Sequence, residues 1–204
     1  MFRRLSPLVL IAAVCLALAP NAGAVARLGE QRVAPKPSPA AQGPQHTPEG
    51  PLAPLALCPG QNSLDAPAPV QKRAMRCMTD YARRYAGLGG LGDTRQLDRS
   101  ASGKSRDILR CDSFSHYACG RDFTYWMRQS GYLAASCWRA GENLAWGTGE
   151  AGTVRAIFRA WMHSPGHREN ILGRFRQIGV GLKVGDLEGR DDTRVWTQHF
   201  GSHC

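Results

Sequence analysis

GENLAWG at Gly141–Gly147, AWMHSPGHRENILGRFRQIGVGL at Ala160–Leu182 and WTQHFG at Trp196–Gly201 decide how this chain is read. ENLAW, IGVGLKV and RVWTQHF read as three strands. The clearest helix lies between the first two, over Thr153 to His163. There Val154, Ile157, Phe158 and Trp161 recur at i, i+3, i+4 and i+7, which builds one buried face. Pro165 and Gly166 end that helix.

Upstream, Val70, Ala74, Cys77, Met78, Tyr81, Ala82 and Tyr85 recur at helical spacing and predict a first helix over Val70 to Ala86. The Gly-rich GLGGLGD stops it. A second helix covers Leu97 to Arg110, with Leu97, Ala101 and Ile108 on one side and Gly103 as a weak point. RDFTYWMRQSGY reads as a short third helix ending at Gly131. Helices first, then strands and a helix together, predict an α/β sandwich with a small sheet.

Before Val70 the texture differs. Ten of the 13 prolines fall between Val25 and Val70, in a stretch almost without aromatic or β-branched residues. Such a segment buries too little apolar surface to fold, so residues 25–69 read as a Pro-rich, disordered, extended spacer. Residues 1–24 form a secretory signal: Arg3 and Arg4, an uncharged apolar run from Leu8 to Ala19, then small residues at Ala22 and Ala24. The run is shorter than the roughly 20 residues a membrane-spanning helix needs, and the mature chain has no other candidate. The expected location is extracellular or in the cell envelope.

One of the seven cysteines, Cys15, belongs to the leader. Cys58, Cys77, Cys111, Cys119, Cys137 and Cys204 remain, an even set that reads as a disulfide framework in an exported chain. Three bridges contribute on the order of 2–4 kcal/mol each. Pairing stays open, except that Cys111 and Cys119 are close enough to bridge locally. Losing Arg3 and Arg4 with the leader takes the net charge from +10 to +8. The basic residues are scattered, with no cationic run and no interleaved aromatics, so nucleic acid is not an expected partner.

The order G-E-N-L, W-M-x-S-P-G-H-R-x-N-I-L, I-G-V-G and WTQHFG resembles the CAP superfamily, the cysteine-rich secretory, venom-antigen and pathogenesis-related proteins with an SCP-like domain, in its bacterial branch. FSH at Phe114–His116 fits the same pattern. The resemblance covers Val70 to Gly201 and places the domain at 70–204. It implies a disulfide-stapled, three-layer α-β-α sandwich with a groove whose floor carries two histidines and acidic residues. By motif these are His116, Glu142 and His167, with Asn143 beside them. Ser164 stands where many animal members carry a second glutamate. His199 falls where the pattern expects a polar or acidic residue, and the sequence assigns it no role.

Two imidazoles and a carboxylate can bind Zn²⁺ or another divalent cation, with His116 and His167 as ligands and Glu142 nearby. Plainer roles stand beside these. Glu142 can hold a groove loop, His167 can cap the HRENIL turn, Asn143 can be a structural hydrogen-bonder, and Trp146 and Trp161 can belong to the core. His46 and His203 read as incidental. The favoured function is a secreted binding module for a lipid, a cell-wall polymer or a protein partner, not an enzyme. The alternative is an extracellular hydrolase, metal-assisted or using Ser164 as nucleophile, His167 as base and Glu142 as orienting acid.

Overall fold

A computed structural model of the protein describes residues 50–204. The leader, His46 and the spacer up to residue 49 lie outside the described residues. The IGVGLKV run sets the core. It lies in β3 (Gln177–Leu187), which pairs antiparallel with β4 (Arg190–His203), and β4 pairs antiparallel with β2 (Trp138–Gly147). A two-residue β1 (Gly92–Asp93) runs parallel to β3, so the order is β1-β3-β4-β2 and β2 is an edge strand.

Alternation along β3 separates two helical layers. Ile178, Val180 and Leu182 join α1 (Ala68–Tyr85) and α4 (Val154–His163) in one core with Met75, Met78, Ile157, Phe158 and Trp161. Full burial of a Val, Ile or Phe side chain stabilises by roughly 1.5–3 kcal/mol. The intervening glycines face α2 (Arg95–Arg110). A Cβ on Gly179 would stand 2.1 Å from the Leu97 carbonyl carbon, and one on Gly181 would stand 2.3 Å from the Ala101 oxygen. The α2 backbone therefore lies directly on the sheet, and any side chain at either position would lift it. The result is the expected three-layer α-β-α sandwich.

Helix ends follow their local chemistry. Thr94 Oγ1 accepts from the Leu97 amide at 3.0 Å, and Thr153 Oγ1 accepts from the Ala156 amide at 3.3 Å. Helix α3 (Tyr125–Gln129) is shorter than RDFTYWMRQSGY suggests, and the chain leaves it through Gly131 at φ +77°. Helix α4 ends at His163 as expected. Pro165 then opens a new helix at once, α5 (Pro165–Ile171), because its missing N–H is not needed in a first turn.

The folded unit begins before Val70. Ala53 and Cys58 are fully buried, and Gln61 is nearly so. Arg155 Nη1 donates to Ala53 O and to Gln61 Oε1, each at 2.7 Å, and Cys58 is bridged to Cys77 on α1. Composition assigns residues 50–69 to the spacer because they are rich in proline and lack aromatic and β-branched residues. Side-chain hydrogen bonds and a disulfide hold residues 53–61 instead, and composition does not register these. The other bridges are Cys111–Cys119, as expected, and Cys137–Cys204.

Candidate functional site

Antiparallel register puts Glu142 on β2 opposite His199 on β4, so both side chains leave the sheet on the α2 face. Helix α2 brings Ser100 and Lys104, one turn apart, to the same face. His199 is fully buried. Its Nε2–H donates to Glu142 Oε2 at 2.7 Å, and its Nδ1 accepts from the Ser100 hydroxyl at 2.7 Å. The segment after α2 carries His116, whose Nδ1–H donates to Glu142 Oε1 at 2.6 Å. Each carboxylate oxygen thus holds one imidazole.

Lys104 lies beneath this pair. Its Nζ is 4.0 Å from Glu142 Oε1 and donates to the His116 carbonyl. Burial pushes the Glu142 carboxyl up, but hydrogen bonds from His116 and His199 and the charge of Lys104 outweigh it. The acid therefore titrates below the usual carboxylate range. Burial also pulls the Lys104 ammonium down, with Glu142 opposing.

His167 arrives on α5, on the other side of the edge strand. Asn143 points there too, fully buried. Its Nδ2 donates to the His167 carbonyl and to Gln198 Oε1, each at 3.1 Å, and its Oδ1 accepts from Asn170 Nδ2 at 2.9 Å. Asn143 therefore ties α5 to the sheet and, fully buried, is closed off from the groove. His167 Nδ1 lies 2.9 Å from Ser164 Oγ, and its ring centroid lies 6.4 Å from that of Trp161. Burial lowers the His167 pKa, and nearby His116 lowers it further. Beside His167 a pocket of ≈ 280 Å³ opens, with Phe114, Leu144, Trp146 and Trp161 as apolar lining and Ser164 and His167 as polar lining. Trp161 is core, as expected, but Trp146 is half-buried and forms pocket wall under the Arg190 guanidinium, 4.8 Å from its ring centroid.

Two expected arrangements are not assembled. Glu142 does not orient His167, because both of its oxygens are taken by His116 and His199. Ser164 and His167 make a pair without an acid. Both Glu142 oxygens are also held by imidazoles, and among the described residues no three His, Cys, Asp or Glu side chains are grouped to hold a metal. The donors that remain are the Nε2 atoms of His116 and His167. His116 has its Nδ1–H held by Glu142, which leaves its Nε2 lone pair free, and His167 Nδ1 meets the Ser164 hydroxyl.

His199, Ser100 and Lys104 escaped sequence reasoning. A signal existed: Ser100 and Lys104 fall on the same helical stripe as Leu97, Ala101 and Ile108, where a polar residue needs a buried partner.

A three-layer α-β-α sandwich around a small sheet is the fold of an SCP-type domain. Residues 78–200 match the cysteine-rich secretory protein (CAP) family, and the chain belongs to that family. The protein YkwD of Bacillus subtilis is 34% identical over 124 residues, which is 60% of this chain and 44% of YkwD. The chain thus spans under half the length of that relative. An outer surface protein of Borrelia burgdorferi superposes with a TM-score of 0.56 at 16% identity, covering 68% of this chain and 97% of that one. An extracellular protein containing a SCP domain from Bacillus anthracis gives 0.50 at 23% identity, covering 68% and 44%. At these identities the two structures share the fold.

Proposed function

We propose that the protein is an exported binding module that holds a lipid-like, amphipathic ligand in the groove between His116 and His167. The ≈ 280 Å³ pocket carries this reading. Phe114, Leu144, Trp146 and Trp161 supply an apolar wall, and Ser164 and His167 supply hydrogen-bonding groups. Glu142 fixes His116 with its proton on Nδ1, so the Nε2 lone pair is available to a ligand donor. His116 and His167 would also hold a divalent ion such as Zn²⁺, whose charge would anchor an oxygen-bearing headgroup. Export is supported by the leader pattern, the three disulfides and the extracellular SCP-domain neighbour.

The test is titration with dansyl-undecanoic acid, together with mass spectrometry of lipids that co-purify from culture medium. Saturable binding is expected, weakened about tenfold or more in Trp146→Ala and His167→Ala, the loss of roughly 1.4 kcal/mol of contact. No binding and no co-purified lipid would overturn the lipid reading and leave a wall polymer or a protein partner.

A second reading, an extracellular hydrolase, rests on the Ser164–His167 pair at 2.9 Å. Fluorophosphonate labelling at Ser164 would support it. An unlabelled Ser164 in folded protein would remove it.

A further inference from the structure

A second cavity, of ≈ 440 Å³, lies away from the groove, between α1, α2 and α3. Its lining is cationic. Lys72 comes from α1, and Arg99 and Arg106 come from α2. The one acid in the lining, Asp98, is already committed. Its Oδ1 accepts from the Val180 amide at 2.9 Å and from the Arg76 guanidinium. Among the described residues, the charged groups of Lys72, Arg99 and Arg106 form no side-chain hydrogen bond or salt bridge, and the partial burial of Lys72 disfavours its charge. Asp98 opposes that cost, and Arg76 and Lys183 nearby add to it.

The remaining wall is rigid and polar. Trp126 Nε1–H donates to the buried Asp107 Oδ2 at 2.7 Å. Its ring rests on Gly103, where a Cβ would stand 2.5 Å from the indole. This explains a glycine in the middle of α2: the helix gives up propensity so that the indole can seat against it. The Arg106 guanidinium lies 5.7 Å from the ring centroid. Ser102 and Gln129 complete the site with a hydroxyl and an amide.

We infer that this cavity is a second binding site, separate from the groove, that takes a phosphate group on an organic carrier. Three cations from two helices, with a hydroxyl and an amide, match a group that presents three or more acceptor oxygens in different directions. A carboxylate offers only two in one plane. The Trp126 indole, seated on Gly103 with the Arg106 and Arg121 guanidiniums over its ring, adds apolar wall beside the cations. The cavity volume lies within the range of small-molecule sites. The phosphate can be a lipid headgroup or part of a soluble or wall-bound polymer. The chemistry is shared, and the source is separable by experiment.

The test is a ¹⁵N–¹H titration of the protein with sn-glycerol 3-phosphate. It follows the Trp126 indole N–H, assigned by its loss in Trp126→Phe. A saturable shift is expected, weakened at least tenfold in Arg99→Gln/Arg106→Gln. Both arginines are exposed, so the double variant should keep the dispersed spectrum of the parent. Arg84→Gln, an exposed charge outside the cavity, should bind as the parent does. Sedimentation with phosphatidylglycerol vesicles that depends on Arg99 and Arg106 would identify a lipid source. Binding of glycerol phosphate without such sedimentation would identify a soluble or polymeric one. No saturable shift and no sedimentation would overturn the site. So would an equal loss in Arg84→Gln, which would reduce the effect to general basicity.

Discussion

His199 and Glu142 meet across the β2–β4 pair, and the buried Nε2–H of His199 donates to Glu142 Oε2 at 2.7 Å. The bond is part of a chain that runs from Ser100 through His199 and Glu142 to His116. It anchors the exposed histidine of the groove to the interior of α2. His199→Phe keeps an aromatic ring but removes the donor, leaving a buried carboxylate oxygen without a partner. Stability should fall by about 3 kcal/mol, the upper part of the range for an unsatisfied buried group. Ser100→Ala should cost about 1 kcal/mol. Urea unfolding measures both, and a His199→Phe protein as stable as the parent would show that the bond contributes nothing.

The disulfides should differ in weight. Loop-closure entropy grows with the segment enclosed. Cys137–Cys204 encloses a separation of 67 residues, Cys58–Cys77 of 19 and Cys111–Cys119 of 8. Paired Cys→Ala replacement should cost about 4 kcal/mol for the first and about 2.5 kcal/mol for the last. Cys58→Ala/Cys77→Ala should also free residues 53–61 to exchange amide hydrogen faster. Thiol titration of the parent in denaturant should find no free thiol among the six.

What was legible in the sequence was what repeats. IGVGLKV reads as a strand and forms β3, but its two faces show only in the structure, where Ile178, Val180 and Leu182 enter the core and Gly179 and Gly181 meet α2. The helical spacing of Val154, Ile157, Phe158 and Trp161 set α4 and its buried face. The groove acid and both groove histidines were found only through their motif, since His116, Glu142 and His167 are far apart in the chain. His199 was not legible because its role depends on register. Only the pairing of β2 with β4 puts it opposite Glu142. The folding of residues 53–61 was hidden for a different reason. Their order comes from the Cys58–Cys77 bridge and from Arg155, about a hundred residues away, and no local composition contains those contacts.

Tyr132 should make the domain sensitive to alkali. Its ring is buried against Gly201, and its hydroxyl donates to Gln177 Oε1 at 2.7 Å. Burial pushes its pKa up to about 12, against about 10 in an unfolded chain. The folded state therefore keeps a proton that the unfolded state releases. The stabilisation is complete below pH about 10 and is lost as pH rises from there through about 12. Unfolding midpoints measured from pH 8 to 11.5 should fall above pH about 10, and Tyr132→Phe should flatten that decline. The same variant should lose about 1 kcal/mol at neutral pH with the Gln177 bond. An unchanged slope in Tyr132→Phe would assign the alkaline loss to other groups.

Zinc separates the role of Glu142 from the roles of the histidines. If His116 and His167 hold a divalent ion through Nε2, Zn²⁺ at neutral pH should raise the melting temperature. A ligand that binds only the folded state adds RT ln(1 + [L]/Kd), roughly 2.7 kcal/mol at a hundredfold excess over Kd. His116→Ala and His167→Ala should each abolish the rise. His163→Ala should keep it, because that ring is exposed and its Nδ1–H donates to the Arg159 carbonyl at 2.8 Å. Glu142→Gln is the informative variant. A direct ligand would take the shift with it. A carboxylate that only orients His116 should weaken metal affinity roughly 10- to 100-fold and leave a shift recoverable at higher Zn²⁺. The geometry, with both Glu142 oxygens held by imidazoles, gives the second outcome. A parent protein whose melting temperature ignores Zn²⁺ would leave the groove as a pocket for an organic ligand alone, with His116 and His167 as its hydrogen-bonding groups.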